Sequence, residues 1–302
     1  MKLDALVLAG NRRDYIPVGN RNKALLDIGG RPVIEYVIDA LKSAGHIGDV
    51  YIVGPSEELS FLKHKYPDIV LFEQRETLAE NILSSYESIC PQRDRHILVT
   101  TSDIPFVHSS EIDAFITSSS FISYDVVLGI AGDSVLKKFL PSAGKPGIRN
   151  NCCYFRQGPV RLNNLFIMRY PPDALTGYAS TIYRARYQKK LRNFSRLILD
   201  VLIKDPGRVR LVWTLLIMQG TLQADRFGLN RTARAIGRLL DISEAEVTAS
   251  KTIGGGFKTV MMEFGGAVID IDNEKSLIAA RARFEEFRRI SGEIPTEEKT
   301  SN

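Results

Sequence analysis

The chain has 302 residues, 44% of them hydrophobic and 25% charged, with a formal net charge of +5. That is enough polypeptide for one large domain or two small ones. The composition is that of a soluble globular protein, and no stretch reaches the roughly 18 apolar residues of a membrane span. Residues 1–9 carry Lys2 and Asp4 and read as a strand, not as a secretory leader. Three cysteines without metal-ligand spacing, Cys90, Cys152 and Cys153, point to a reduced, cytoplasmic protein. The basicity is local: residues 181–238 hold 13 Lys/Arg against three Asp/Glu, a net of +10 within the total of +5.

In chain order, residues 3–9 (LDALVLA) are a continuous apolar run, the mark of a strand buried in a parallel sheet. Pro32 opens a helix to about Ala44, with Val33, Ile34, Val37, Ile38 and Leu41 at helical spacing and Gly45 just past its end. Residues 49–54 read as a second strand and 56–66 as a short helix capped by Ser56. A third strand at 68–73, a helix at 77–90 and a fourth strand at 96–105 come next. This alternation predicts an α/β fold, a mostly parallel sheet with helices on both faces. Further strands are expected at 124–130, 151–155 and 164–168, the last two around a turn at Gly158-Pro159. Residues 181–240 turn helical and basic, with Trp213 expected in the core. Residues 243–249 open with a capping-box pattern, Ser243 to Glu246. Strands at 257–262 and 267–271, a helix at 274–290 and a disordered polar tail close the chain. The expected organisation is a core of 1–175 and 245–290, a basic helical insert at 176–244 and a tail at 291–302.

In an open parallel sheet, ligands bind beyond the C-terminal ends of the strands. The loop after the first strand falls there, with Ala9, Gly10, Asn11, Arg12, Arg13, Gly19, Arg21 and Lys23. Glycine lets backbone N–H groups approach a phosphate, arginine offers a forked donor and lysine a point charge. Neither a Walker loop nor a G-x-G-x-x-G pattern is present. Asp103, in Thr-Ser-Asp-Ile-Pro at the end of the fourth strand, suits Mg²⁺, a hard cation that prefers oxygen; it suits a turn cap equally. Asp270 and Asp272 lie at a second strand end, where Asp272 or Asn273 serves as well to cap the next helix. Two strand-end carboxylate sites facing one basic loop make a Mg²⁺–triphosphate site. The four histidines are scattered, and none pairs with a nucleophile.

The same residues carry a family resemblance. "VLAGNRRD…NRNKALLDIGGRPVIEYVIDAL" resembles the opening of nucleotidyltransferases of the molybdenum-cofactor guanylyltransferase type, the MobA-like NTP transferases. "TTSDIPFV" is similar to their strand-end Asp-x-Pro motif, "RLNNLFIM" to their Gly-Asn-Leu segment and "VIDIDNEKSL" to their closing DIDTPEDL motif. The four matches fall in family order over about residues 3–170 and 257–290. The resemblance implies a GT-A-like, Rossmann-like core. It implies transfer of a nucleotidyl group from an NTP to a phosphorylated acceptor, small-molecule or lipid-linked, with release of pyrophosphate. By the same resemblance Ala9, Gly10, Asn11, Arg12 or Arg13, and Lys23 hold the triphosphate, and Asp103 and Asp272 hold Mg²⁺. Asn81 lies near the base or sugar, and Asn164 lines the acceptor side.

The chain departs from the family pattern at Asn11 and Asn163, where glycine is expected, and at Glu274 and Ser276, where proline and aspartate are expected. Two alternatives therefore stand beside the leading one. A GT-A glycosyltransferase would use a sugar nucleotide, but its D-x-D motif belongs mid-chain, and here D-x-D occurs only at Asp270–Asp272. A non-catalytic nucleotide-binding protein is the other. In the insert, "RARYQKKLRNFSRLILDVLI" sets an apolar stripe beside a basic cluster. It either packs on the core or presents 181–220 to an anionic membrane or lipid-linked acceptor. Nucleic acid is a weaker partner, because the apolar content exceeds what backbone binding needs.

Overall fold

The computed structural model describes residues 1–11, 18–170 and 209–292. Its first half runs β1 (Leu3–Leu8), the small hairpin β2 (Asp27–Ile28) and β3 (Arg31–Pro32), α1 (Val33–Ser43), β4 (Ile47–Gly54), α2 (Ser56–Leu59), α3 (Leu62–Lys65), β5 (Val70–Glu73), α4 (Leu78–Ile89), β6 (Ile97–Thr101) and α5 (Ser109–Ser118). The second half runs β7 (Val126–Gly132), α6 (Asp133–Leu136), β8 (Cys153–Phe155), β9 (Gly158–Met168), α7 (Val209–Arg226), α8 (Asn230–Gly237), α9 (Ile242–Ile253), β10 (Phe257–Met262), α10 (Glu274–Ala282) and α11 (Phe284–Gly292).

The main sheet has the order β10-β7-β9-β6-β1-β4-β5, with β8 on β9. β1 pairs in parallel with β4 and β6, β4 with β5, and β7 with β10. Alternate residues of β1 supply the two faces, as the strand period requires. Leu3, Ala5 and Val7 pack with Ile34, Val37 and Leu41 of α1 and Phe115 of α5. Leu6 and Leu8 pack with Tyr86 and Ile89 of α4. The apolar run that reads as a buried strand is therefore central, and the α/β class holds. β9 is the antiparallel member, running between β6 and β7.

Several local expectations give way. Residues 267–271 are not a strand; the segment leaves β10 and runs without sheet partners, held instead by side chains from other elements. Residues 56–66 split into two single turns, and Ser56 is the first helical residue, its N–H on Glu73 Oε2 at 3.0 Å. α9 starts earlier than the Ser243 pattern suggests, because Asp241 caps it by accepting from the Ser243 N–H at 2.9 Å. Residues 274–290 break into α10 and α11 at Arg283. Trp213 is 52% exposed on α7 instead of buried, while Val212, Thr214 and Ile217 of the same helix are buried.

Asp225 of α7 accepts from the Cys152 N–H at 2.8 Å and from the Tyr154 hydroxyl at 3.0 Å, so the described part of the expected insert is docked on β8. The stretch 181–208, with the apolar stripe and basic cluster assigned to a membrane or packing role, and the tail from 293 lie outside the described residues. Among the described residues no helix is long and apolar enough to cross a membrane.

Candidate active site

The C-terminal ends of β1 and β6 lie side by side, because the two strands pair in register from Asp4 with Ile97 to Leu8 with Thr101. The loops that leave these two strands therefore start from one edge of the sheet. After β1, Ala9 donates its N–H to Val53 O at 2.8 Å, and Asn11 donates its N–H to Gln74 Oε1 at 2.8 Å. A Cβ on Gly10 would stand 3.2 Å from Gln74 Oε1 and 3.6 Å from Asn81 Nδ2. Gly10, Asn11 and Asn81 thus form one corner, with Gln74 between them. Asn11 is not left-handed, so the missing glycine of the family pattern costs no backbone strain here. Asn81 is buried at the start of α4 and accepts the Arg75 N–H through Oδ1. Arg12 and Arg13 lie outside the described residues.

The far end of the loop is fastened by Asn22. Its Nδ2 donates to Ala9 O at 3.1 Å, and its Oδ1 caps a short turn over Lys23–Leu25 by accepting from Ala24 N at 3.1 Å. Lys23 therefore leaves the backbone beside the end of β1. Its ammonium lies 2.6 Å from Asp272 Oδ1 and 3.3 Å from Asp103 Oδ2.

The closing segment is held by brackets in place of strand pairing. Glu111 of α5, fully buried, accepts the Ala267 N–H with both oxygens, at 3.1 and 3.0 Å. Asn164 donates both its backbone N–H and its Nδ2 to Ala267 O, each at 2.9 Å. Asn150 Nδ2 donates to Val268 O at 3.4 Å, and the Ile271 N–H donates to Asp103 O at 3.0 Å. Gly266 fits because the segment passes so close: a Cβ there would lie 2.1 Å from Phe106 O. Asn273 then caps α10 by accepting from Ser276 N at 3.0 Å, which frees Asp272 from that role.

This brings Asp103, Asp270 and Asp272 together, with one oxygen of each within 4.8 Å of the others. Arg161 of β9 donates to Asp270 Oδ1 at 2.8 Å. Burial pushes the Asp270 carboxyl up to about 6; Arg161 pulls it down, while Asp272 and Asp103 push it further up. Burial also works against the charge of Asp272, but Lys23 more than offsets this and holds it below its ordinary value. Asp103 Oδ1 is buried with no hydrogen-bond partner. A buried carboxylate oxygen without a donor is costly, and three convergent carboxylates are the oxygen set a hard divalent cation prefers. The residues present fit such an ion.

Two of the four departures from the expected motifs do structural work. Glu274 accepts the Gly19 N–H at 2.6 Å and ties the loop to α10. Ser276 completes the cap, its Oγ accepting from Asp272 N at 3.1 Å. Asn163 lies inside the sheet, where its side chain fills the space over Gly129; a Cβ at Gly129 would stand 2.2 Å from Asn163 Nδ2. Sequence reasoning placed Asp270 at the second strand end without making it a metal ligand, and assigned no role to Arg161 or Asn22. The D-x-D spacing offered a signal for Asp270, since alternate residues of an extended chain share a side. Arg161 has no local signal, because its partner lies 109 residues away; Asn22 offers one only as the cap of the turn that follows, its bond to Ala9 O spanning 13 residues.

Residues 5–194 match the MobA-like NTP transferase domain. The chain belongs to this family of nucleotidyltransferases. One relative, 2-aminoethylphosphonate cytidylyltransferase of Lancefieldella rimae, is 41% identical over 64 residues, which are 21% of this chain and 26% of that protein. The match thus spans about a quarter of that relative's length. A hypothetical transferase structure from Thermus thermophilus superposes with a TM-score of 0.61 at 19% identity, covering 92% of this chain and 100% of the other. CMP:2-keto-3-deoxy-manno-octonic acid synthetase, in a complex with CTP, superposes with a TM-score of 0.52 at 10% identity, covering 95% and 99%. At these identities the two structures bear on the fold alone, a mostly parallel α/β sheet with helices.

Proposed function

We propose that this MobA-like NTP transferase moves a nucleotidyl group from an NTP, CTP being the first to test, to the oxygen of a phosphate or phosphonate acceptor. The observation that carries this is the convergence of Asp103, Asp270 and Asp272 around Lys23 at the strand ends beside Gly10. The choice of CTP and of a phosphonate acceptor draws on the Lancefieldella rimae relative.

Asp103, Asp270 and Asp272 would hold a divalent cation, Mg²⁺ in this reading, which supplies charge neutralisation for the triphosphate. The chain's own residues do the rest. Lys23, which can turn from the carboxylates to a phosphate oxygen, balances the charge that builds on the leaving pyrophosphate. Gly10 and Asn11 give the triphosphate a close approach to the backbone, with Arg12 and Arg13 as further cations from the same loop. Asn81 stands beside Gly10 on the side assigned to the base or sugar. Asn164 acts through Ala267, fixing the segment that carries Asp270 and Asp272. An acceptor oxygen, already anionic, forms the new bond to the α-phosphorus as the bond to the bridging oxygen breaks and pyrophosphate leaves. No side chain need remove a proton, so positioning and charge supply most of the rate.

The test is pyrophosphate release from each of the four NTPs with Mg²⁺, using 2-aminoethylphosphonate and a set of phosphorylated small molecules as acceptors. Release that depends on one acceptor, and is lost in Asp103→Asn, is the expected result. Absence of release from every NTP and acceptor pair overturns the proposal.

A further inference from the structure

A cavity of about 510 Å³ lies outside the carboxylate cluster and shares a wall with it. Ile269 lines the cavity, and the next residue, Asp270, belongs to the cluster. Asn150 lines it too, and its amide holds Val268 O. On the other side the cavity begins at Asp133, the residue after β7. Ala131 of β7 faces Arg161 across the ladder, and Arg161 holds Asp270. The cavity therefore opens on the same edge of the sheet as the site, one residue away along the closing segment and two along β7. Its size is that of a small organic ligand and is well beyond one inorganic anion.

The lining divides by chemistry. Leu136 and Ile148 make part of it apolar. Three of its charged groups are already engaged: the Lys137 ammonium lies 2.6 Å from Asp133, and Asp225 holds the Cys152 N–H and the Tyr154 hydroxyl. Arg149 and Arg234 are different. They come from separate elements, the 141–150 loop and α8, and both are exposed. Neither has an ion-pair partner among the described residues. With Lys137, Arg149 and Arg234 against Asp133 and Asp225, the lining keeps one positive charge in excess, and two guanidinium groups on one cavity without such a partner suit a carboxylate, phosphate or phosphonate.

We infer that the cavity takes the far end of the acceptor, an anionic group a short chain away from the phosphate or phosphonate oxygen that reacts, and that Arg149 and Arg234 select it. The inference rests on the nucleotidyl-transfer reading and adds the acceptor class to it, a small molecule anionic at both ends. Two probes separate the ends. Phosphonoacetate carries a second anion and methylphosphonate does not. Each is titrated by calorimetry into the full chain loaded with Mg²⁺ and a non-hydrolysable CTP analogue. Arg149→Ala/Arg234→Ala is compared with Arg231→Ala, which removes one exposed charge of α8 outside the cavity lining. The parent protein should bind phosphonoacetate at least about tenfold more tightly than methylphosphonate, the scale of two exposed charge-assisted contacts. The double variant should lose that preference while its affinity for the CTP analogue stays unchanged, and Arg231→Ala should keep both. Equal affinity for the two probes in the parent, or a preference that survives in the double variant, overturns the inference. If the CTP analogue binds and the preference is missing, the cavity assignment alone fails. If the analogue itself does not bind, the nucleotidyl-transfer reading fails and takes this one with it.

Discussion

Lys23 and Asp103 meet in one ion pair, yet their replacement should act in opposite directions on the unliganded protein. Three carboxylates face Lys23 and Arg161, so the cluster carries one more negative charge than positive. Lys23→Ala leaves the carboxylates to repel one another and should cost on the order of 1 kcal/mol, a figure kept small because Asp272 is half exposed. The same change should lower turnover by ~10²-fold or more, the scale seen when a donor to developing charge is removed. Turnover equal to the parent's would remove Lys23 from the mechanism. Asp103→Asn subtracts a like charge and replaces the unpartnered oxygen with a neutral group. Its melting temperature without metal should equal or exceed the parent's, while the rise on adding Mg²⁺ and an NTP should shrink or vanish. A variant that melts well below the parent and keeps its Mg²⁺ response would show that Asp103 braces the fold and binds no cation.

The closing segment shows how an element is built without secondary structure. Residues 267–272 lack ladder bonds, so their backbone groups are answered one at a time by Glu111, Asn150, Asn164 and the Asp103 carbonyl. Glu111 is the anchor with a measurable signature. Burial pushes its carboxyl up to about 8, with the backbone N–H groups of Ala267 and Gly266 pulling the other way. The folded protein then keeps this proton through a range, from about pH 4.5 to about 8, in which the unfolded chain has lost it. Folding takes up a proton there, so this group makes stability fall as pH rises, by at most about 1.4 kcal/mol per unit. Glu111→Gln removes the proton and keeps an oxygen for the Ala267 N–H. Relative to the parent, the variant should gain stability between about pH 5 and about pH 8.5 in urea unfolding. A gap between the two proteins that does not change with pH would mean that Glu111 is ionised throughout.

At the scale of the whole molecule, the site is assembled from the ends of β1 and β6, the loop after β1 and a segment more than 160 residues further along the chain. A ligand that touches all of them should stabilise the fold as a unit. CTP with Mg²⁺ at ~100 times its dissociation constant should add about 2.7 kcal/mol to the unfolding free energy. Because α10 carries Glu274 on the Gly19 N–H and starts just after Asp272, amide exchange in 267–282 should slow together with exchange around Gly10 and Lys23. Protection confined to the first loop would indicate a phosphate site that the closing carboxylates do not join.

Local pattern was sufficient for the α/β class and for the edge of the sheet at which Lys23 and Asp103 meet. The apolar run of β1 and the helical spacing of α1 are set by neighbours in sequence, and Lys23 and Asp103 lie on the loops that leave strands whose parallel pairing puts their ends together. The acid pair Asp270 and Asp272 stood out at a second strand end, and the family resemblance singled out Asp272 of the two. Tertiary structure alone decided the rest, because the interactions that matter span long separations. Residues 267–271 have the composition of a strand, but their partners are a buried glutamate on α5 and an asparagine on β9, which no period reveals. Asp270 sits in the cluster with its charge faced by Arg161, which comes from an antiparallel strand inserted into the sheet. Asn163 departs from its motif without disturbing the site because Gly129, on the neighbouring strand, leaves room for it. Trp213 faces solvent because helical spacing defines a stripe but not which side of it the sheet will cover.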